Sequence, residues 1–258
     1  MAFDGPNRLL VSDAANLGFY GIGLNGSSSP SPITAGNVQT GLTFGIDGEL
    51  FAALYQSGNI DQVDPSTGAF IRQLNPFGTN YPCVIGLATD PISGDLFFGQ
   101  TNSGAVCPGN PVLTRIENPS SAHPTFVPYV TGNNYVELTF APDGTLYAVQ
   151  QGPSNACAVR INGTNSPSMP SVTTIACFPN FETEFIGIEA IALSARPGAL
   201  PTLFVAGMSG TISKIDQSTT PPTATPIVTL GTRVDGLAVG VNGLYATQST
   251  GIVRITSP

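Results

Sequence analysis

Lysine occurs once in the chain, at Lys214, histidine once, at His123, and arginine seven times. Each scarcity excludes something. With a net charge of −8 and so few cations, the protein has little with which to neutralise a phosphate backbone, so nucleic acid and anionic membrane surfaces are poor partners. The acids are dispersed rather than run together, which reads as a solvated acidic surface. A Ser-His-Asp or Cys-His nucleophile would have to use the one histidine as its base, and a single histidine makes a Cys/His zinc cluster improbable. His123 itself, in "SSAHPTF", falls near the start of an outer strand and reads as a surface residue. No apolar run approaches the roughly 18–20 residues that span a bilayer, so no membrane insertion is expected. The opening "MAFDGPNRLL" lacks the basic and apolar regions of a signal peptide, so the secreted location argued below implies a leader absent from this sequence.

Charged residues make up only 9% of the 258 positions, against roughly 25% in ordinary soluble domains. Ser, Thr, Asn, Gln, 30 Gly and 23 Pro take their place, a composition that suits a turn-rich β protein with a core drawn from the 41% apolar residues. Closed all-β structures run to about 200–250 residues as one unit, so residues 1–258 are expected to form a single domain. The four cysteines form two local pairs, Cys83 with Cys107 and Cys157 with Cys177, and neither pair has CxxC spacing. An even count of this kind fits two disulfides in an oxidising compartment, extracellular or periplasmic, with four buried free thiols as the alternative. Sequons stand at Asn25 and Asn162, relevant only in a eukaryotic secretory route.

The stretch "QTGLTFGIDGELFAALYQSGNIDQVDPSTGAFIRQL", residues 39–74, returns in altered form from Ile85, Val136, Glu189 and Asp235. The corresponding positions Gly41, Gly86, Glu137, Ala190 and Gly236 are 45, 51, 53 and 46 residues apart, and a period of about 40–50 residues marks propeller blades. Each unit parses into four short strands, apolar first and polar last, joined by Gly/Asp/Pro turns such as "GIDG" and "DPSTG". No helical apolar period of useful length occurs. The expectation is an all-β six-bladed β-propeller, five blades being the alternative, with blades at about 1–37, 38–83, 84–134, 135–186, 187–232 and 233–258.

The combination of "GLA", "G-x-Leu-[Phe/Tyr]" and a third strand written "G-x-I-x-[Lys/Arg/Gln]-[Val/Ile]-Asp" resembles the NHL-repeat, streptogramin-lyase-like and gluconolactonase-like six-bladed propellers. In gluconolactonase-like members a metal is held by a Glu of the first inner strand, by Asn side chains of middle blades and by an Asp in "P-D-G". Here "VDGLAV" at Asp235 is a near match to the last, Glu189 replaces an Asn, and Met1 to Phe3 carry no acid. The lyases rely on a channel histidine, for which this chain offers no candidate.

A propeller binds ligands at the mouth where the inner strands begin and the loops between second and third strands emerge. Thr40, Ile85, Glu137, Glu189 and Asp235 enter the inner strands there. Glu189 and Asp235 with Asn134 form a candidate Ca²⁺ set, since that ion takes about 6–8 oxygens. The same carboxylates, with Glu137 assisting, are the candidate acid–base residues. The loops add aromatic and amide groups, Tyr55, Gln56, Tyr81, Gln100, Asn102, Tyr135, Gln150 and Phe181, suited to a neutral small molecule, carbohydrate or peptide; the alternative is that the aromatics pack blade to blade. Three readings stay open: a secreted module binding a neutral polar ligand or a protein partner, a Ca²⁺-assisted lactonase-type hydrolase, and a structural extracellular or cell-surface module of a longer protein.

Overall fold

In the computed structural model the described residues are 1–13, 18–24, 31–34, 39–55, 57–75, 81, 83–101, 111–163, 170–179, 188–196, 198–249 and 251–256. The fold is all-β and six-bladed, with no helix among these residues, so the five-blade alternative is set aside. Among the described residues no helix is long and apolar enough to cross a membrane. The chain divides into two compact units, residues 1–135 and 136–258.

The first unit holds three blades, each a four-stranded antiparallel meander in chain order. They are β1 (Ala2–Phe3), β2 (Arg8–Asp13), β3 (Gly18–Gly23) and β4 (Ser31–Thr34); β5 (Gln39–Phe44), β6 (Leu50–Leu54), β7 (Asn59–Val63) and β8 (Phe70–Gln73); and β9 (Val84–Thr89), β10 (Leu96–Gln100), β11 (Val112–Glu117) and β12 (Thr125–Thr131). The second unit takes up β13 (Asn134–Phe140), β14 (Leu146–Gln151), β15 (Asn155–Asn162) and β16 (Ser171–Pro179); then β17 (Ala190–Arg196), β18 (Ala199–Ala206), β19 (Thr211–Asp216) and β20 (Thr223–Thr229). Its last sheet has three strands, β21 (Gly236–Gly240), β22 (Gly243–Gln248) and β23 (Gly251–Ile255).

Strand periodicity explains the packing. In β6, every residue of "LFAAL" is buried. Leu50, Ala52 and Leu54 face the first blade's Leu10 and Phe19, while Phe51 and Ala53 face Val84, Leu96 and Phe98 of the third. A strand covered on both faces needs this continuous apolar run. In the second blade the second strand, not the first, is the most buried, because it has a hydrogen-bonded strand on each edge and a blade of the same unit on each face. The outer strands are open: β16 and β20 begin with four exposed residues each. The 64–68 turn shows how the polar turns hold. Asp64 Oδ1 accepts from the Ser66 and Thr67 amides and from the Ser66 hydroxyl, and Gly68 takes the positive φ that closes the loop.

Cys157 and Cys177 sit directly opposite each other on β15 and β16 and form a disulfide, as the even cysteine count implied. It joins neighbouring strands near their ends rather than two loops. Cys83 is also disulfide-bonded; Cys107 lies outside the described residues.

Candidate functional site

Blades in the second unit meet at the beginnings of their first strands, and charge collects there. Glu189 immediately precedes β17, its amide tied to the Ala206 carbonyl at 2.8 Å, and Asp235 immediately precedes β21, its amide tied to Thr247 at 3.0 Å. These backbone bonds fix where both carboxylates emerge. Arg233 precedes Asp235 by two residues, and an extended chain points alternate side chains to the same side. Val234, between them, points the other way into the core of this unit, where it is fully buried.

Arg233 then reaches both acids. Its Nη2 donates to Glu189 Oε1 at 2.9 Å, its Nε lies 2.8 Å from Glu189 Oε2, and the same Nε contacts Asp235 Oδ1. Glu189 is 11% exposed, Arg233 48% and Asp235 44%, so the least solvated acid receives the two-pronged contact. Glu137 stands at the inner-strand position that Gly41, Gly86, Ala190 and Gly236 occupy in other blades. Burial pushes its carboxyl up to about 7, and the nearby Glu189 charge adds to the rise.

Of the expected Ca²⁺ set, Glu189 and Asp235 come together at the two strand entries. The cation shared by Glu189 and Asp235 is the guanidinium of Arg233, and among the described residues no group of three or more His, Cys, Asp or Glu is arranged to hold a metal. Asn134 opens β13 and is half-buried.

Where β5 meets β9 in the first unit, the described strand-entry contact is neutral. Thr40 Oγ1 donates to the Val84 carbonyl at 2.8 Å, next to half-buried Ile85. Two of the four expected ligand-binding aromatics pack. Tyr135 is fully buried, and Tyr81 stacks on Phe126 with centroids 5.3 Å apart and meets Phe98 edge-on at 5.0 Å. Gln100 is buried at the end of β10. Tyr55 and Gln150 are half-buried at the ends of β6 and β14, where they can still be reached. Gln56, Asn102, Phe181 and the sequon residue Asn25 lie outside the described residues, whereas Asn162 closes β15. His123 is exposed in the turn before β12, as its sequence context implies.

Two residues escaped the sequence reading. Arg233 carried a usable signal, the Arg-x-Asp spacing ahead of an inner strand in a chain with seven arginines. Asp61, in the middle of β7, carried none: it is 6% exposed, its Oδ1 has no hydrogen-bond partner among the described residues, and burial pushes its carboxyl up to about 6.

No family model and no curated protein sequence matches the chain. Its fold does match solved structures. A gluconolactonase from Xanthomonas campestris superposes with a TM-score of 0.73 at 14% identity, over 97% of this chain and 82% of that one. A virginiamycin B lyase from Staphylococcus aureus gives 0.62 at 18% identity, over 100% and 80%. An auxiliary nutrient binding protein from Bacteroides ovatus gives 0.70 at 11% identity, over 94% and 64%. At such identities the likeness is one of fold: this chain shares the six-bladed propeller of gluconolactonases and streptogramin B lyases.

Proposed function

We propose that the protein binds a neutral, polyhydroxylated ligand, a sugar or a related small polar molecule, at Glu137, Glu189, Arg233 and Asp235, and that it works outside the cytoplasm. The observation that carries this reading is the half-exposed Arg233 held between two carboxylates. The cluster offers guanidinium donors and carboxylate acceptors at fixed positions, and charge-assisted hydrogen bonds to hydroxyl groups are stronger than neutral ones. A ligand without charge meets this cluster at little desolvation cost. The nutrient-binding propellers of like fold and the Cys157–Cys177 disulfide support the binding role and the oxidising location. Calorimetric titration with neutral mono- and oligosaccharides is the test. Binding at least tenfold weaker in Arg233→Met and Glu189→Gln supports the reading, while no heat with any neutral sugar, or binding unchanged in both variants, refutes it.

Glu137 favours a second reading. A carboxyl with a pKa near 7 suits proton transfer at neutral pH, as in hydrolysis of a small lactone. Glu137 would take a proton from water as the hydroxide adds to the ester carbon, then return it to the ring oxygen as that C–O bond breaks. The lactonase fold likeness is consistent with this chemistry. Lactone turnover with an inflection near pH 7, lost in Glu137→Gln, supports it; identical rates for the two proteins end it.

A further inference from the structure

The third strands of five blades, the second to the sixth, carry a long polar residue at one register position: Gln62, Arg115, Arg160, Lys214 and Arg254. In the second blade Gln62 Oε1 accepts from Arg72 Nε at 2.7 Å. In the third blade Arg115 lies opposite Phe97, and its Nε donates to Asp95 Oδ2 at 2.8 Å. The fifth blade repeats that register with Lys214 opposite Phe204 and Thr202 in the place of Asp95. The cation is kept and its carboxylate is gone. Among the described residues no carboxylate lies within 4 Å of the Lys214 ammonium. Asp216, two residues further along, feels its charge but is exposed, with one oxygen committed to the Ser218 amide and hydroxyl.

Space accompanies the missing carboxylate. A cavity of about 230 Å³ opens at this corner of the fifth and sixth blades, with Ser194, Thr202 and Lys214 on its polar side and Phe204 and Val239 on its apolar side. Ser194 and Thr202 are paired across β17 and β18, so their hydroxyls share a face with Phe204 and Lys214. No side chain at position 243 can fill the gap, because a Cβ on Gly243 would come within 2.4 Å of the Ile255 carbonyl oxygen.

We propose that this corner binds a small organic carboxylate, its anionic end on Lys214 and the Ser194 and Thr202 hydroxyls, its carbon chain against Phe204 and Val239. The ligand's carboxylate stands where the third blade places Asp95. A lone ammonium beside hydroxyl donors and an apolar wall suits such an anion, and the short span suits a chain of few carbons. The site lies at the opposite end of the blade from Arg233, so the two can be tested separately.

The test uses the full chain with sodium propionate against sodium chloride at equal ionic strength, followed by melting temperature and calorimetry, with inorganic phosphate in a parallel arm. Propionate at about ten times its Kd is expected to raise the melting temperature by about 3 °C. Lys214→Met is expected to weaken propionate at least tenfold. Thr202→Asp, which restores the third-blade pair, is expected to raise the melting temperature unaided and to abolish the propionate response. No propionate response in the unmodified chain, a response preserved in both variants, or a response to phosphate alone overturns the proposal.

Discussion

Where β5 meets β9 in the first unit, blade-to-blade contacts are made by hydroxyls. Thr40 donates to the Val84 carbonyl, Thr89 donates to the Phe44 carbonyl at 2.7 Å, and the Thr43 and Thr89 hydroxyls lie 3.1 Å apart. Where β17 meets β21 in the second unit, the strand-entry contact is the Glu189–Arg233–Asp235 cluster. Both arrangements align adjacent inner strands, but they differ in what remains. The hydroxyl bonds are spent on the backbone or on one another, whereas the ion cluster stays half-exposed and keeps acceptors and donors that water, or a ligand, can share. Under the reading proposed above, the cluster in the second unit is the one that a ligand would use, and four substitutions test the contrast between the two junctions.

The largest expected effect tests how tightly β5 abuts β9. A Cβ on Gly41 would fall 2.6 Å from the Ile85 carbonyl oxygen and 2.9 Å from Leu87 Cβ. Gly41→Ala should therefore cost about 2–3 kcal/mol in denaturant unfolding, because backbone cannot yield as a side chain can.

Asp61 sharpens the contrast between a buried acid without a counter-ion and Glu189 with one. Its folded pKa, about 6, lies above its ordinary value of 3.8, so between these values the folded chain binds more protons than the unfolded one. Stability from this group falls as pH rises through that window. Asp61→Asn should stabilise the protein at pH 7 by about 1–2 kcal/mol after allowance for solvent screening, and should flatten melting temperature against pH between about 4 and 6.

Arg233→Met should cost about 1 kcal/mol at low ionic strength, and the loss should shrink in 1 M NaCl because the pairs it breaks reach solvent. Thr40→Val should cost slightly less, about 0.5–1 kcal/mol, with no dependence on salt, since the bond lost is neutral. Equal salt sensitivity in the two variants would remove the distinction between the junctions.

The blades were legible because every local signal agreed: apolar runs where both faces are covered, Asp, Ser, Thr and Gly where turns close, and one period across the chain. Glu189 and Asp235 were also legible, since the repeat places both at strand entries. Arg233 was only half legible: its Arg-x-Asp spacing marks the position, but its role depends on two blades bringing Glu189 and Asp235 within one guanidinium's reach. Tyr135 and Tyr81 misled for a related reason: a tyrosine among Asn and Pro reads the same whether its ring points out or, as here, into packing. The rise in Glu137 was beyond sequence altogether, because it comes from the desolvation of a single inner-strand position.

The Cys157–Cys177 bond closes a covalent ring over a separation of 20 residues, and β15 and β16 form its two sides. A protease that cuts the connection between residues 163 and 170 would open this ring without releasing either strand. The nicked protein should migrate as one chain until a reductant is added and as two fragments afterwards. The fourth blade would thus stay covalently joined across a break in its own backbone.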